Sequence, residues 1–464
     1  MLAVALLALP TLAWAASGAH SHPHSAVNAA APATSKQPAP TAAYDRTTWQ
    51  GEAQIKDANA ECTYYSYPPV NAIISSYPVI WKTADLSAAG ISADDKALFR
   101  ALNATIPQIQ PRGDRAGNFQ GVVYDGNTDP DCWWTYTRCT TPKIASLQDD
   151  VTKCDEPNTW GLTLDDGPNC SHNAYFDYLN SINQKATLFY VGSNVLDWPL
   201  EAQRGLADGH EICSHTWSHP YMTSLTNEQA FAELYFSKKA IKEVLGITVR
   251  CWRPPYGDVD DRIRFIAEAL DMRTIIWNAD TDDYNWITQG LPAIRKNYQS
   301  ILNNQSAGAY DDSGAIVLTH EIDAGTMQLN QEFLPQIMKQ FTGGVLPVAV
   351  CMNNTEPYVE QGSYVYPNYA QWASGTRSVS LAAPTAAPNS GRLILDAQAS
   401  GGVTISGATV SSAPSASAAK QMKPSGTTGS LAAATTAAQS GASRAVVSGL
   451  IVALVGMIAT GLAF

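Results

Sequence analysis

Charged residues are scarce in this chain, and no run of basic residues occurs in it. Only 15% of its 464 residues are Asp, Glu, Lys or Arg, well below the roughly 25% that is usual for soluble domains. The 29 basic and 41 acidic residues give a formal net charge of −12. Because phosphate backbones are bound by clustered Lys and Arg, this balance argues against nucleic acid as a partner.

Cys-x-x-Cys pairs are also absent, which argues against a zinc finger or a thioredoxin-like protein. The eight cysteines are an even number and suit an oxidising compartment. Four Asn-x-Ser/Thr sequons are therefore plausible glycosylation sites, at Asn103, Asn169, Asn304 and Asn353. We expect Asn169 to be the least favoured of them, because Cys170 is its middle residue.

The two ends of the chain have the composition of targeting signals. Residues 1–15 are apolar and close with an Ala-Trp-Ala pattern, which predicts a secretory signal peptide. The last 20 residues are apolar and uncharged, and small residues with a polar spacer precede them. This combination predicts a GPI anchor, with Ser440 among several possible attachment residues. A tail-anchored single-pass protein is the alternative. We expect the outer face of the plasma membrane and the cell wall as the location, with the lipid as the membrane contact.

Composition divides the chain into six predicted segments. They are a signal peptide (1–15), a disordered linker (16–43), an N-terminal extension of unknown role (44–150), a domain that carries the motifs below (151–360), a Ser/Thr/Ala-rich stalk (361–440) and a removed anchor-signal tail (441–464).

Short apolar runs alternate with helical stretches from about residue 158 to residue 352. The runs are Trp160–Leu164, Ala186–Val191, His210–Ser214, Thr248–Trp252, Arg273–Trp277, Ala315–Thr319 and Val345–Cys351. The clearest helix is Asn227–Leu245, because Thr226 and Gln229 form a capping box and Gly246 stands at the C-terminal end. Repeated βα units of this kind predict a parallel sheet, and seven runs favour a barrel.

Polar residues follow five of these runs in succession. They are Asp165 and Asp166, then His215 and His219, then Arg253, then Asp280, Asp282 and Asp283, and finally His320. The C-terminal strand ends of a βα barrel converge on one face, where active sites lie. The clusters therefore predict a single site.

The i,i+4 spacing of His215 and His219 would place both imidazoles on one face of a helical turn, which suits two ligands of one Zn²⁺. Asp166 can supply the third ligand, and Asp165 can take a proton from water. Arg253 can hold an Asp base by bidentate pairing. Each motif also has an ordinary structural explanation when it is taken alone, such as a turn at Asp165-Asp166 or a buried, hydrogen-bonded His320.

Five ordered motifs resemble those of the polysaccharide deacetylases of the NodB-homology type, carbohydrate esterase family four. They are Thr-Leu-Asp-Asp-Gly-Pro (163–168), His-Thr-Trp-Ser-His (215–219), Arg-Pro-Pro-Tyr-Gly (253–257), Asp-Thr-Asp-Asp-Tyr (280–284) and Leu-Thr-His (318–320). The predicted signal peptide, stalk and anchor make the fungal GPI-anchored chitin deacetylases the most similar members. The resemblance covers about residues 155–352.

The resemblance implies an α/β fold, a distorted (β/α) barrel, with one divalent metal ion, Zn²⁺ or alternatively Co²⁺. The implied metal ligands are Asp166, His215 and His219. Asp165 is the implied general base, oriented by Arg253, and His320 is the implied general acid, oriented by Asp283. The backbone N–H of Tyr256 is implied to bind the oxyanion, while Leu318 and Tyr284 are implied to line a pocket for the acetyl methyl group. Tyr284 replaces the usual Trp, and Trp286, two residues later, is a further candidate for binding the substrate.

The resemblance further implies a monomeric enzyme that removes N-acetyl groups from chitin, giving chitosan and acetate. The alternatives are an O-acetyl esterase acting on a glycan such as acetylxylan, a catalytically silent glycan-binding protein of the cell wall and a structural mannoprotein. Because Cys154 and Cys351 bracket the domain, we expect them to be paired. We expect Cys213, just ahead of the two histidines, to be a buried thiol.

Overall fold

The computed structural model of this chain describes residues 44–381. The predicted signal peptide, the linker, the stalk beyond residue 381, Ser440 and the anchor-signal tail lie outside the described residues. Within residues 44–381, no helix has both the length and the hydropathy needed to cross a membrane.

A nine-stranded, mostly parallel sheet forms the centre of the fold. Its strands are β1 (Lys153–Cys154), β2 (Thr159–Gly167), β3 (Thr187–Tyr190), β4 (Glu211–Ser214), β5 (Cys251–Trp252), β6 (Arg273–Thr274), β7 (Ala279–Asp280), β8 (Gly314–Leu318) and β9 (Gly344–Leu346). The order is β1-β8-β2-β3-β4-β5-β6, while β7 pairs with β8 and β9 pairs with β2. Only the β1–β8 pair is antiparallel within this sheet.

The sheet curls into a distorted barrel, as predicted. Strands β6 and β7 are not paired with each other, but a bridge between Val151 and Ile275 brings the chain just before β1 beside the end of β6. Strand β2 lies at the centre, and its residues are almost all buried. Its continuous apolar run is typical of a parallel strand covered on both faces.

Fifteen helices of the described chain surround the sheet. They are α1 (Trp49–Glu52), α2 (Ala58–Glu61), α3 (Pro68–Ile73), α4 (Ala93–Asn103), α5 (Trp134–Thr137), α6 (Asn173–Ser181), α7 (Gly192–Asp197), α8 (Pro199–Ala207), α9 (Asn227–Leu245), α10 (Asp261–Ala269), α11 (Trp286–Gln289), α12 (Leu291–Ser306), α13 (Ala324–Gln340), α14 (Val348–Cys351) and α15 (Tyr369–Ala373). Helix α9 has the predicted bounds, with both capping-box bonds present and Gly246 left-handed at φ 78°.

Several of the predicted strands are shorter than expected. The last run, Val345–Cys351, is a strand only as far as Leu346, because Pro347 ends it and helix α14 follows. The fourth and fifth runs are strands only at Cys251–Trp252 and Arg273–Thr274. Asp280 follows the fifth run, and it lies in a further strand that was not predicted, β7, which has two residues and pairs with β8. A strand this short has no periodicity from which it could be recognised.

Strands and a helix occur beyond the predicted start of the stalk at residue 361. Strands β10 (Tyr364–Val365) and β11 (Ser380–Leu381) form an antiparallel pair. The Tyr366 and Trp372 side chains are only 1% exposed. These aromatic side chains bury enough apolar surface to hold the segment on the domain.

The N-terminal extension packs on the same hydrophobic core as the barrel. Val70, Tyr77, Leu102 and Trp134 are buried in one cluster with residues of the barrel strands and helices. A disulfide between Cys62 and Cys170 also joins the extension to the loop after β2. The extension is therefore part of one folded unit with the motif-bearing domain.

All eight cysteines are disulfide-bonded. Cys154 is joined to Cys351, the pair that we expected, and Cys132 is joined to Cys139. The expectation of a Cys213 thiol is wrong, because Cys213 is bonded to Cys251. These two cysteines lie on the neighbouring parallel strands β4 and β5, where Ser214 is paired with Trp252.

Candidate active site

Asp165 and Asp166 lie within β2, near its carboxyl end, rather than in a turn after it. The strand has a register irregularity between Asp165 and Gly167, and Asp166 has a left-handed φ of 71°. Asp165 also pairs with the chain after β8, since its N–H donates to the Thr319 carbonyl at 2.9 Å. The two neighbouring carboxylates consequently have different partners.

The loop after β4, residues 215–219, carries the two predicted histidine ligands, and we call it the His loop. It is not the helical turn that the spacing predicted, because Thr216 and His219 have φ of 67° and 58°. The two rings are nevertheless close, with centroids 4.9 Å apart. Their Nε2 atoms lie 3.3 Å (His215) and 3.1 Å (His219) from Oδ1 of Asp166.

The chemistry of these three side chains fits a divalent cation. The Nδ1 of His215 lies 2.8 Å from the Arg253 carbonyl and must donate to it, which leaves the lone pair of Nε2 facing Asp166. The Nδ1 of His219 contacts the Tyr256 hydroxyl at 3.2 Å. Oδ1 of Asp166 is buried and accepts no hydrogen bond. Burial raises the pKa of Asp166, but the charge of the two facing imidazoles, when these are protonated, outweighs burial and lowers that pKa well below its usual range.

Two further clusters of potential ligands occur in the described residues, and neither fits a metal. Each contains a pair of cysteines that is disulfide-bonded, Cys132–Cys139 beside Asp129 and Cys213–Cys251 beside Glu211. Disulfide sulfurs are not thiolates and are therefore not available as metal ligands.

Asp165 is held by the buried guanidinium of Arg253. One nitrogen, Nη1, donates both to Oδ1 of Asp165 at 2.6 Å and to the Thr163 hydroxyl at 2.8 Å. The bidentate pairing that we expected is therefore wrong, because Nη1 alone serves the carboxylate. The Arg253 guanidinium also lies 4.1 Å from the centroid of the Phe189 ring. Arg253 thus places a fixed positive charge beside the carboxylate.

His320 and Asp283 form a buried pair at the ends of β8 and β7. Oδ1 of Asp283 lies 2.6 Å from Nδ1 of His320, and Oδ2 accepts from the His320 N–H at 3.0 Å. Burial alone would lower the pKa of His320, but the Asp283 carboxylate outweighs it and raises that pKa to about 9. His320 is therefore a cation at neutral pH and can act as a proton donor.

The four predicted substrate-binding residues lie in different parts of the site and make different contacts. Tyr256 has a left-handed φ of 58°, and its ring stacks on Tyr221 with centroids 4.0 Å apart. Leu318 is buried and pairs with Asp280. The Tyr284 ring lies 5.1 Å from the His320 ring. Trp286 instead lies against the start of α13, where its Nε1 donates to the Asp323 carboxylate at 3.1 Å.

The predicted glycosylation sites also differ in their surroundings. Asn103, Asn304 and Asn353 are exposed. Asn169 is only partly exposed, its amide nitrogen donates to the Ile322 carbonyl, and its Oδ1 accepts from the Ser171 hydroxyl.

Two side chains that hold the His loop were missed in the sequence. Glu233 is fully buried in α9 and accepts from the N–H groups of Trp217 at 3.0 Å and Ser218 at 2.7 Å. Its position inside the apolar stretch 230–236 was a signal, because an ionised side chain is buried only when it is paired or hydrogen-bonded. Arg115 of the extension also contacts Ser218, and no motif marked it.

Three groups thus meet at the carboxyl ends of parallel strands. They are the Asp166 carboxylate with two imidazoles, the Asp165 carboxylate bound by arginine, and the cationic His320. This arrangement defines a metal-dependent hydrolase.

A family model described as polysaccharide deacetylase matches residues 152–275. The chain is 49% identical over 331 residues to chitin deacetylase 2 of Cryptococcus neoformans var. grubii, covering 70% of this chain and 72% of that protein. The chain belongs to the polysaccharide deacetylase family.

Similar proteins also occur in other fungi. A chitin deacetylase of Amylomyces rouxii is 46% identical over 332 residues, which cover 70% of this chain and 77% of that protein. Among solved structures, the chitin deacetylase of Colletotrichum lindemuthianum is 24% identical, with a TM-score of 0.42, and the match covers 46% of this chain and 96% of that one.

Proposed function

We propose that this chain hydrolyses the N-acetyl groups of chitin, a polymer of N-acetylglucosamine, to give chitosan and acetate. The proposal depends on one observation. The Asp166–His215–His219 cluster lies beside the Arg253-bound carboxylate of Asp165 and the cationic His320. The choice of chitin is supported by the two relatives named above, which are chitin deacetylases.

The proposed cofactor is one divalent cation held by Asp166, His215 and His219. Two imidazole nitrogens and one carboxylate oxygen are a common catalytic ligand set for Zn²⁺, and Co²⁺ is the alternative. When bound, such a cation polarises the acetyl carbonyl and lowers the pKa of water.

Asp165 is the proposed general base. Its carboxylate takes a proton from the water that attacks the acetyl carbon, which requires Asp165 to keep its position. The Arg253 hydrogen bond at 2.6 Å fixes Oδ1 and places a positive charge beside the carboxylate.

His320 is the proposed general acid. It gives its proton to the amide nitrogen as the carbon–nitrogen bond breaks, so that the sugar leaves as a free amine and the acetyl group as acetate. Asp283 holds the imidazole at Nδ1 and keeps it protonated, so the proton is donated from Nε2.

The remaining predicted residues have supporting roles in this proposal. The N–H of Tyr256 donates to the oxyanion that develops on the carbonyl oxygen. Leu318 and Tyr284 form the acetyl-methyl pocket, and Tyr284 is supported by its contact with His320. Trp286 is assigned to the outer edge of the site, because its indole N–H is committed to Asp323.

The proposed location is the secretory pathway and the outer cell surface. The four disulfides support an oxidising compartment. We retain GPI anchoring, with Ser440 as one possible attachment residue, and a monomeric state as parts of the proposal.

Acetate release by the purified chain tests the function. N-acetylglucosamine oligomers and acetylxylan are offered side by side, each to zinc-loaded and to chelated protein. Release from the oligomers that is lost on chelation supports the proposal. Release from acetylxylan alone would identify an O-acetyl esterase, and no release from either would leave a glycan-binding protein.

A further inference from the structure

The His loop is held from one side by the N-terminal extension. Nη2 of Arg115 donates to the Ser218 carbonyl at 2.9 Å and to the Ser218 hydroxyl at 3.0 Å. Arg115 lies outside residues 152–275, the segment that the family model matches. Ser218 directly precedes His219, so these bonds act next to a proposed metal ligand.

Glu233 also holds the loop. Besides the two backbone N–H groups of the loop, this carboxylate accepts from the Ser218 hydroxyl at 2.6 Å and from the Ala84 N–H, in the extension, at 2.8 Å. These four bonds offset part of the cost of burying the carboxylate, although burial still raises the pKa of Glu233. The Ser218 hydroxyl connects the two side chains, because it accepts from Arg115 and donates to Glu233.

Trp217, at the centre of the loop, is also held by the extension. Its indole N–H donates to the Val79 carbonyl at 3.2 Å. Tyr77 stacks on the Trp217 ring with centroids 5.5 Å apart and an angle of 13° between the planes. The extension thus contacts both Trp217 and Ser218.

The loop needs such contacts because its own residues disfavour its conformation. Thr216 and His219 have φ of 67° and 58°. The left-handed region costs roughly 1–2 kcal/mol for each residue that has a Cβ, and it is least favourable for β-branched residues such as Thr. One bond within the loop, from the His219 N–H to the Thr216 hydroxyl at 3.2 Å, supports this conformation, and contacts with the rest of the chain add to it.

We propose that Arg115 is a positioning residue for the metal site, and that the N-terminal extension is consequently a working part of that site. Arg115 holds the Ser218 carbonyl, which belongs to the same peptide group as the His219 N–H. This inference rests on the proposed function, since it assumes that a metal binds at Asp166, His215 and His219.

The test compares three variants of the full chain. Arg115→Gln removes the cation, and Arg115→Lys keeps a cation with fewer directed donors. Arg100→Gln is the matched control, because Arg100 is an exposed arginine of the same extension, in α4, and has no hydrogen bond or ion pair in the described structure. The measurements are Co²⁺ affinity, the visible absorption spectrum of the Co²⁺ form and the thermal midpoint of chelated protein.

We expect Arg115→Gln to weaken Co²⁺ binding about 10-fold, at the lower end of the range for the loss of a group that orients a ligand, because Arg115 acts through Ser218 rather than on a ligand directly. Its Co²⁺ spectrum should change, the Lys variant should recover part of the affinity, and the midpoint of chelated protein should match that of Arg100→Gln. Equal Co²⁺ affinity and equal spectra in Arg115→Gln and Arg100→Gln would overturn the inference and leave the proposed function intact. Absence of Co²⁺ binding by the unaltered chain would overturn the proposed function and this inference with it.

Discussion

Replacing Asp283 by Asn should move the alkaline limb of the pH–rate profile to lower pH. The Asp283 carboxylate raises the pKa of His320 to about 9, against an ordinary value of 6.5. A proton donor acts only while protonated, so activity should fall as the pH rises through the pKa of His320. Without that carboxylate, burial lowers the pKa of His320 while Asp166 and Asp165 still raise it, so we expect the pKa of His320 to return to about its ordinary value of 6.5.

The size of the effect follows from the protonated fraction of His320. At pH 8, about 90% is protonated for a pKa near 9 and about 3% for a pKa near 6.5, so the rate should fall roughly 30-fold. At pH 6 the same comparison predicts a loss of less than about twofold. The assay is acetate release from a soluble N-acetylglucosamine oligomer between about pH 5 and pH 10.

Asp282→Asn provides the matched control for this experiment. Asp282 is the neighbouring carboxylate, and it accepts from Asn285 and Gln289 rather than from His320. Its variant should keep the alkaline limb of the unaltered chain. An alkaline limb that stays in place in Asp283→Asn would refute the assignment of His320 as the proton donor held by Asp283.

The disulfides and the sequons provide two further predictions. Replacing Cys213 and Cys251 by Ala should lower the free energy of unfolding by about 4 kcal/mol, and replacing Cys132 and Cys139 by about 2 kcal/mol, because the two bonds close loops of 38 and 7 residues. Denaturant titration measures both losses, and a larger loss for the shorter loop would contradict this ranking. Peptide mass spectrometry of the secreted protein should find glycans on the exposed sequons Asn103, Asn304 and Asn353 and none on Asn169, because the Asn169 amide is hydrogen-bonded to the Ile322 carbonyl. A glycan on Asn169 would show that this bond does not protect it.

The placement of the motifs could be predicted because it depends on topology. Parallel strands converge at their carboxyl ends, so polar residues that follow successive apolar runs must approach one another. Helix α9 was predictable from Thr226, Gln229 and Gly246, since helix capping is a local interaction. Both inferences require only short-range patterns.

The parts that could not be predicted depend on contacts between distant segments. The His loop is not helical, and its backbone is instead hydrogen-bonded to residues distant in the sequence, among them Glu233 and Arg115. The bond between Cys213 and Cys251 depends on the register of β4 and β5, which no single run reveals. Tyr366 and Trp372, in contrast, were a readable signal that folded chain continues past residue 360.

The most direct test of the account separates metal binding from chemistry in one variant, Asp165→Asn. Asp165 is the proposed base and not a proposed metal ligand. The unaltered chain should bind one equivalent of Zn²⁺ and release acetate from N-acetylglucosamine oligomers. Asp165→Asn should bind the same equivalent of metal and lose at least about 100-fold in rate, the usual contribution of general-base catalysis. Acetate release by Asp165→Asn at the rate of the unaltered chain would contradict the account.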